Sequence, residues 1–462
     1  MENKKENFSE WYNEIVTISD LSDKRYPIKG MNVWRPYGWK IMKLIDNIIR
    51  NAVDKHSFDE VNFPVLISRG MLEVEFEHIR GFENEIYWVT KGGKEKLEEE
   101  LALRPTSESA MYPMFSLWVR SHADLPLKIY QIVSVYRYET KHTRSFIRIR
   151  EIHFFEAHTA HESYEDAEKQ MDEYRIIWTE IADALCLPFL YDQRPEWDKF
   201  PGAMYTIAFD TVMPSGRSLQ IGTIHQYGTN FSKNYDIKYL KEDGTFEYVH
   251  QTTFGMSERL LAAIIGIHGD DKGLILPPAI APIQVVIVPI PGEGVERYAK
   301  DIETTLNGIG IRCHVDNRDN YTPGYKYNDW EMRGVPLRIE VGERELKEKT
   351  VTLAARNIRG KKTVQREKLV YEVPDMLDLV KEKITEDAKK TFNSLVVSAS
   401  SLDDFKKEGL IKAFWCGSKE CSDKIENETE KSALGFNLNN DETGKCIVCG
   451  KAGKLAIFSR SY

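Results

Sequence analysis

The 462 residues predict a multidomain chain of mixed α+β and α/β class. Three observations predict it. Residues 127 to 160 read as two strands joined by a short loop, an antiparallel hairpin with one charged face. Beyond Leu276-Pro277-Pro278, strands alternate with helices, the pattern of an α/β domain. Four of the six cysteines, Cys416, Cys421, Cys446 and Cys449, cluster near the end and define a small last module.

Taken in order, the chain opens with a polar segment to about Asp23, whose scattered aromatics suggest an amphipathic arm. From Tyr37 to Lys55, apolar residues recur at spacings of three and four (Ile41, Leu44, Ile45, Ile48, Ile49, Ala52, Val53), which predicts a helix with one apolar stripe. A strand at Val61-Asn62-Phe63 is stopped by Pro64. Lys91 to Glu100 is a charged run suited to a solvated surface. The hairpin follows, with strands around Ile129–Tyr136 and Arg148–His158. Glu162 to Leu185 reads as helix, Tyr205–Phe209 and Leu219–Ile221 as strands, and Met256–His268 as an apolar helix. In the α/β part, strands are expected at 284–289, 311–315 and 337–341, with helices at 296–306 and 328–333. Boundaries are expected at 1–277, 282–388 and 395–462.

Composition narrows the class. Lys and Arg number 63 against 72 Asp and Glu, a formal net charge of -9, which argues against non-specific coating of nucleic acid but leaves room for a local basic surface. No run approaches the roughly 18 uninterrupted apolar residues of a membrane helix, and the polar start has no apolar signal core. The expected location is the cytoplasm.

Two constellations carry chemistry. Cys416-x4-Cys421 and Cys446-x2-Cys449 supply two close pairs of thiolates, the means by which a chain closes a tetrahedral structural zinc site. In the hairpin, Arg137 and Glu139 share one face, and Arg148 and Arg150 return across the loop. Ile152, Phe154, Glu156 and His158 continue that second strand's face. Converging guanidiniums suit bidentate phosphate binding; taken alone, a structural ladder of ion pairs is as good a reading.

The motifs that surround the hairpin resemble those of class II aminoacyl-tRNA synthetases. A long helix and strand ending in proline matches the stripe and Asn62-Phe63-Pro64. An aromatic-Arg-x-Glu segment with a returning arginine matches Tyr136-Arg137-Tyr138-Glu139 and Arg148. A Gly-and-Arg helix start matches Phe254-Gly255-Met256-Ser257-Glu258-Arg259. Leu103-Arg104-Pro105-Thr106-Ser107-Glu108, His142-Thr143-Arg144, the segments from Leu219 to His225 and Gly228 to Lys233, and His268-Gly269-Asp270 through Pro278 resemble the prolyl-tRNA synthetase family over nearly the whole chain. The cysteine module and the terminal Tyr462 resemble its archaeal and eukaryotic-like branch.

That resemblance implies an antiparallel catalytic sheet flanked by helices, an α/β anticodon-binding domain and a C-terminal zinc-binding α/β module. It implies ligation of proline to tRNA(Pro) through a prolyl-adenylate, with ATP as substrate and Mg2+ on its phosphates. Arg137 is then the principal catalytic residue, touching the α-phosphate and the proline carboxylate. Glu139 reads adenine, and Arg148 and Arg259 hold the outer phosphates, with Arg259 also catalytic. Ile152, Gln220, Thr223 and Ser257 complete the ATP site; Ile152 stands where many relatives stack an aromatic on adenine. Thr106 and Glu108 take the proline ammonium, Phe154 and Phe200 wall its ring, and His158 and His225 line the pocket. Lys141, His142 and Arg144 face the acceptor end of tRNA, while Arg338, Glu340, Arg344 and Lys347 read the anticodon. Enzymes of this kind are usually homodimers, with the helix of the first motif as the expected interface, and no room exists between Glu151 and Arg259 for a large editing insertion, so mischarging with alanine or cysteine is expected. Competing readings are a threonyl or seryl enzyme, a non-catalytic paralogue, and a zinc protein that binds nucleic acid.

Overall fold

The computed structural model describes residues 2–74, 83–438 and 441–462. Its backbone is one long sheet. In order, the neighbouring strands are Val396–Ser398, Leu410–Trp415, Ala452–Ser459, Ser432–Asn437, Leu190–Gln193, Tyr205–Val212, Ser218–Gly228, His250–Ser257, Glu151–His161, Leu127–Tyr136 and Asp59–Glu60. Only the two outermost pairs are parallel. The cysteine module therefore extends the central antiparallel sheet, through the pairing of Phe436 with Gln193 and Asn437 with Asp192.

Local chemistry explains the flanking helices. The polar arm is the helix Phe8–Ile18, capped by the Asn7 side chain, and its scattered aromatics are the buried face: Phe8, Trp11, Tyr12, Ile15 and Val16. The striped helix spans Pro36–Asp54, with proline in its first turn. Its stripe (Ile41, Met42, Ile45, Ile49, Ala52, Val53) is spent on the chain's own core, together with Met171, Tyr174, Ile177 and Trp178 of the helix Tyr164–Ala184. Asp46 lies buried on the same face and its carboxylate meets His153 Nε2 at 3.0 and 3.1 Å. The charged run forms part of an exposed hairpin, Tyr87–Gly92 with Glu95–Leu103.

The hairpin pairs Leu127 with Ala160 through Tyr136 with Glu151 without interruption. Several expectations shift: the helix expected at 328–333 spans Pro323–Met332, and the second hairpin strand, expected from Arg148, begins at Glu151. The strand expected at Val61–Phe63 lies at Asp59–Glu60, although Val61 N–H still donates to Tyr130 O at 2.8 Å. The helix expected from Met256 begins at Arg259, because Phe254, Met256 and Ser257 finish a strand paired to 154–157. A short apolar run suits either element.

The second sheet, residues 285–365, orders Cys313–Val315, Val285–Pro289, Leu337–Val341, Thr350–Ala355 and Lys362–Gln365. The first three strands are parallel and the last two antiparallel. It is tied to the helix Arg259–His268, which flanks the long sheet, by Arg356, whose Nη1 and Nη2 reach the carboxylate of Asp270 just beyond that helix at 3.0 and 2.5 Å. The helix Leu369–Ser394 buries Leu369, Val373, Leu377, Val380, Ile384, Ala388 and Phe392 and runs into the last module. Among the described residues no helix is long and apolar enough to cross a membrane.

Candidate active site

On the face of the central sheet, a cavity of about 300 Å³ is lined by every residue the sequence assigned to proline or ATP. Thr106, Glu108, Arg137, Phe154, His158, Phe200 and His225 are there, and so are Glu139, Arg148, Ile152, Gln220, Thr223, Ser257 and Arg259. Three strands, two helix starts and the loops beside them deliver these residues from far apart in the chain.

One end of the cavity is acidic. Glu108 opens the helix Glu108–Trp118. One of its carboxylate oxygens accepts from the Thr106 hydroxyl, and the other accepts from Tyr227 OH at 2.9 Å. Thr253 Oγ1 lies 3.2 Å from the same phenol oxygen. Glu156 lies beside this notch, fully buried, with Ser107 Oγ and Gln131 Nε2 (2.9 Å) on one oxygen and His158 Nε2 (3.2 Å) on the other. Burial works against its charge, but the His158 ring and the Ser107 and Gln131 donors hold its carboxyl below the ordinary range. The His225 ring packs 4.8 Å from the Phe200 ring, and its Nδ1 lies 2.8 Å from Thr206 Oγ1. Burial, with His158 adding to it, pushes His225 down to about 3, so it is neutral. Phe154 fits because residue 255 is glycine: a Cβ there would stand 3.0 Å from its Cζ.

The other end is cationic. Arg137 Nε donates to Pro105 O at 3.1 Å. Burial lowers its pKa, against the pull of Glu85, Glu108, Glu156 and Glu139. Arg148 is held between Glu139 Oε2 at 3.0 Å and Tyr462 O at 2.7 Å. Arg259 opens the helix Arg259–His268 and donates from Nε to Ile147 O at 2.9 Å. Burial, then the neighbouring Arg148 and Arg137, lower it to about 10. Three mutually repelling guanidiniums around one cavity are a site that gains from a polyanion. Arg150 differs from its expected place on this face: it turns away, donates to Glu139 O at 3.0 Å and stacks 4.2 Å from the Tyr138 ring.

Other assignments separate. Lys141 and His142 are exposed, while Arg144 is half-buried, bonded to Ser9 and 5.9 Å from the Tyr462 ring. Arg338 lies 4.1 Å over the Tyr327 ring and donates to Glu340 Oε1 (2.9 Å) and Glu331 (3.1 Å). Lys361 also holds Glu340, at 2.7 Å. Arg344 and Lys347 are exposed on the helix Glu343–Glu348.

The sulfurs of Cys416, Cys421, Cys446 and Cys449 all lie within 4.8 Å of one another, with Cys449 and Cys416 at 3.7 Å. A tetrahedron of ~2.3 Å zinc–sulfur bonds has edges of about 3.8 Å, so the four-thiolate set fits that ion.

Sequence reasoning left several residues unassigned. Glu156 was legible as part of the alternating charged face, but not as a carboxylate bonded to His158. Arg194, Asp198 and Thr206 also line the cavity, and no local signal marked them. Tyr321 and Tyr325, exposed and stacked at 4.3 Å and 9°, with Arg318 5.1 Å from the Tyr321 ring, are a further surface the sequence did not single out.

Comparison with known proteins agrees with this geometry. Residues 87–268 match the class II tRNA synthetase core (the G, H, P, S and T types), 284–376 an anticodon binding domain, and 402–462 a prolyl-tRNA synthetase C-terminal domain. The chain is 78% identical over 462 residues to the proline–tRNA ligase of Thermoplasma acidophilum, with all of both chains covered. It is 64% identical to that of Picrophilus torridus, again over 100% of each. Among solved structures, the prolyl-tRNA synthetase of Giardia lamblia in complex with prolyl-adenylate superposes with a TM-score of 0.95 at 36% identity, covering 99% of each chain. That of Cryptosporidium parvum complexed with L-proline and AMP gives 0.93 at 34%, covering 100% of this chain and 96% of the other. By cavity, sheet and sequence, the chain belongs to the prolyl-tRNA synthetase family and is a proline–tRNA ligase.

Proposed function

We propose that the cavity runs proline activation between its two ends. The proline ammonium sits in the Thr106–Glu108 notch, and its ring lies between Phe154 and Phe200, beside His158 and the neutral His225. Arg137, between the acidic notch and the phosphate side, holds the proline carboxylate and the α-phosphate. A carboxylate oxygen attacks the α-phosphorus in line, forming the acyl–phosphate bond as the bond to the β-phosphate's bridging oxygen breaks and pyrophosphate leaves. Arg137 meets the charge that grows on the α-phosphoryl oxygens, and Arg148 and Arg259 take the charge of the outgoing pyrophosphate. Glu139 reads the adenine amino group, Ile152 covers the base, and Gln220, Thr223 and Ser257 bind the rest of the nucleotide. Mg2+ bound to the ATP phosphates would supply further charge neutralisation. The terminal ribose hydroxyl of tRNA(Pro) then attacks the prolyl carbonyl and releases AMP.

One observation carries this reading: Glu108, Arg137 and Arg259 share a single cavity. Proline-dependent exchange of pyrophosphate into ATP tests it. Arg137→Ala should lower the exchange rate about 100- to 1,000-fold, and Glu108→Ala should raise the KM for proline; unchanged rates in both variants would overturn the assignment.

We infer further that the catalytic part spans 1–277, the anticodon-binding part 282–388 and the zinc-binding part 395–462. Cys416, Cys421, Cys446 and Cys449 would hold a structural Zn2+, which would fix the module's loops. Lys141, His142 and Arg144 approach the tRNA acceptor end. Arg338, Glu340, Arg344 and Lys347 read the anticodon, and the nearby Tyr321–Tyr325 stack offers a flat face to its bases. Leu66, Leu117 and Trp118, exposed near Phe63, support a homodimer. Six unpaired cysteines suit the reducing cytoplasm. Residues 151–259 are occupied by core strands and one long helix, which supports a chain with no hydrolytic domain inserted there. A compact apolar pocket separates substrates by roughly 10- to 200-fold per methylene, so alanine and cysteine are mischarged and not cleared in cis.

A further inference from the structure

We propose that Arg194 is a positioning residue for the activation step: it fixes the side-chain amide of Gln220 for the nucleotide, and the C-terminal module fixes Arg194. The inference rests on the reading of Gln220 as a nucleotide contact.

Arg194 follows the strand Leu190–Gln193, where the catalytic sheet meets the module. Its side chain is 5% exposed and lies between two cavities, the catalytic one and a second of about 400 Å³ lined by Ser422, Glu426, Leu434 and Tyr462. Its guanidinium is shared three ways. Asp210 takes one hydrogen bond, Nη2 to Oδ1 at 3.1 Å, with its other oxygen an ion-pair contact 2.8 Å from Nη1, and Asp198 lies 3.7 Å from Nε. Nη2 also donates to Gln220 Oε1 at 3.0 Å, and Nη1 donates to Leu434 O at 2.7 Å. The neighbouring Asp192 does not compete for it: burial, then the adjacent Asp210, raise its carboxyl well above the ordinary range.

Two consequences follow. An arginine can only donate, so the oxygen of the Gln220 amide must face Arg194. The Gln220 NH2 is then left as a double donor for acceptors in the nucleotide site. Gln220 also accepts from Arg259 Nη1 at 3.4 Å through its main-chain oxygen, so one residue is held by both arginines. The second consequence concerns the module. Leu434 lies at an irregularity in the strand Ser432–Asn437, where the register against Ala452–Ser459 shifts between Ala433 and Gly435. A bulge of this kind re-aims a backbone group out of the ladder, and here the Leu434 carbonyl points at Arg194. Gly435 permits the approach, since at its φ of 149° a Cβ would stand 2.2 Å from Gln193 O. The cysteine module therefore reaches the nucleotide site through one buried guanidinium, separately from the Tyr462 contact to Arg148.

Steady-state pyrophosphate exchange with Arg194→Met, Arg194→Lys, Gln220→Ala and the Arg194→Met/Gln220→Ala double variant tests this, with thermal melting to confirm folding. The expected result is a KM for ATP raised ~10-fold in Arg194→Met, as for loss of a charge-assisted bond, with the KM for proline within about 2-fold. The double variant should be no worse than Gln220→Ala, because both changes remove the same interaction. Arg194→Lys keeps a cation against Asp210 but cannot reach Gln220 and Leu434 together as the guanidinium does; it should fold and still raise the KM for ATP, and it carries the test if Arg194→Met does not fold. Losses that multiply in the double variant, or KM values for proline and ATP rising together, would overturn the proposal. So would an unchanged KM for ATP in Arg194→Lys beside a raised one in Gln220→Ala. If Gln220→Ala itself leaves the KM for ATP unchanged, the nucleotide reading of Gln220 fails, and the proposal with it.

Discussion

Glu258 shows how much one side chain at this site costs the fold. It precedes Arg259 and is buried, with Oε1 accepting from His153 N at 3.2 Å. Burial raises its carboxyl to about 7, against the pull of His153 and Arg259. An unfolded glutamate titrates near ~4.3. Stability linked to this group is therefore whole below the unfolded value and is lost as pH rises through the folded one. Glu258→Gln keeps the acceptor for His153 N and removes the charge. It should stabilise the protein at pH 8 by on the order of 3–4 kcal/mol and leave it unchanged at pH 4, as read by chemical denaturation at both. Equal effects at the two pH values would show that the carboxyl is not the titrating group. Residue-scale chemistry was partly legible in the sequence. Arg137, Glu139, Arg148 and Arg259 stand in short motifs whose spacing locates them. Arg194 and Thr206 do not, because their function is set by which strand lies next to theirs, and a sheet's strand order is not written locally.

At the scale of elements, two surfaces make their own predictions. The first is the Tyr321–Tyr325 stack ahead of and within the helix Pro323–Met332, on the domain that matches anticodon binding. Stacking a base on an aromatic ring is worth ~1–3 kcal/mol. Tyr325→Ala should raise the KM for tRNA in aminoacylation ~5- to 100-fold without altering pyrophosphate exchange, whereas Tyr325→Phe should match the parent. The second is the four-thiolate cluster. Native mass spectrometry should find one zinc per chain, and chelation should lower the melting temperature, since binding free energy at such a site is folding free energy. An unchanged melting temperature after complete metal removal would deny it a structural role. The cysteine spacing made this element readable from sequence. The apolar stripe at 37–55 was equally readable as a helix, but its pattern could not say whether it faced a partner or its own core; it faces its own core.

At the scale of the whole molecule, the helix Arg259–His268 runs from the arginine end of the cavity toward the second sheet. Arg259 opens it, and just beyond its end Asp270 pairs with Arg356. Asp270→Asn should lower aminoacylation kcat/KM for tRNA by roughly 5-fold, at the low end of measured site-to-site couplings, while proline-dependent exchange stays near the parent rate. A parallel fall in both assays would mean a loss of fold. The order of strands and helices was largely legible, because alternation and three-to-four spacing survive in any context. The fusion of the cysteine module with the catalytic sheet was not, since it depends on Phe436 meeting Gln193 across a sequence separation no local pattern records.

In the proposed reaction, an acidic notch and a cluster of arginines form one continuous site for the joined intermediate. Calorimetric titration with non-hydrolysable prolyl-sulfamoyl adenosine measures that directly. Binding should be far tighter than that of AMP or proline alone, weakened by Glu108→Ala and by Arg137→Ala, with alanyl-sulfamoyl adenosine bound more weakly but measurably. Binding no tighter than AMP, or indifferent to both substitutions, would contradict it.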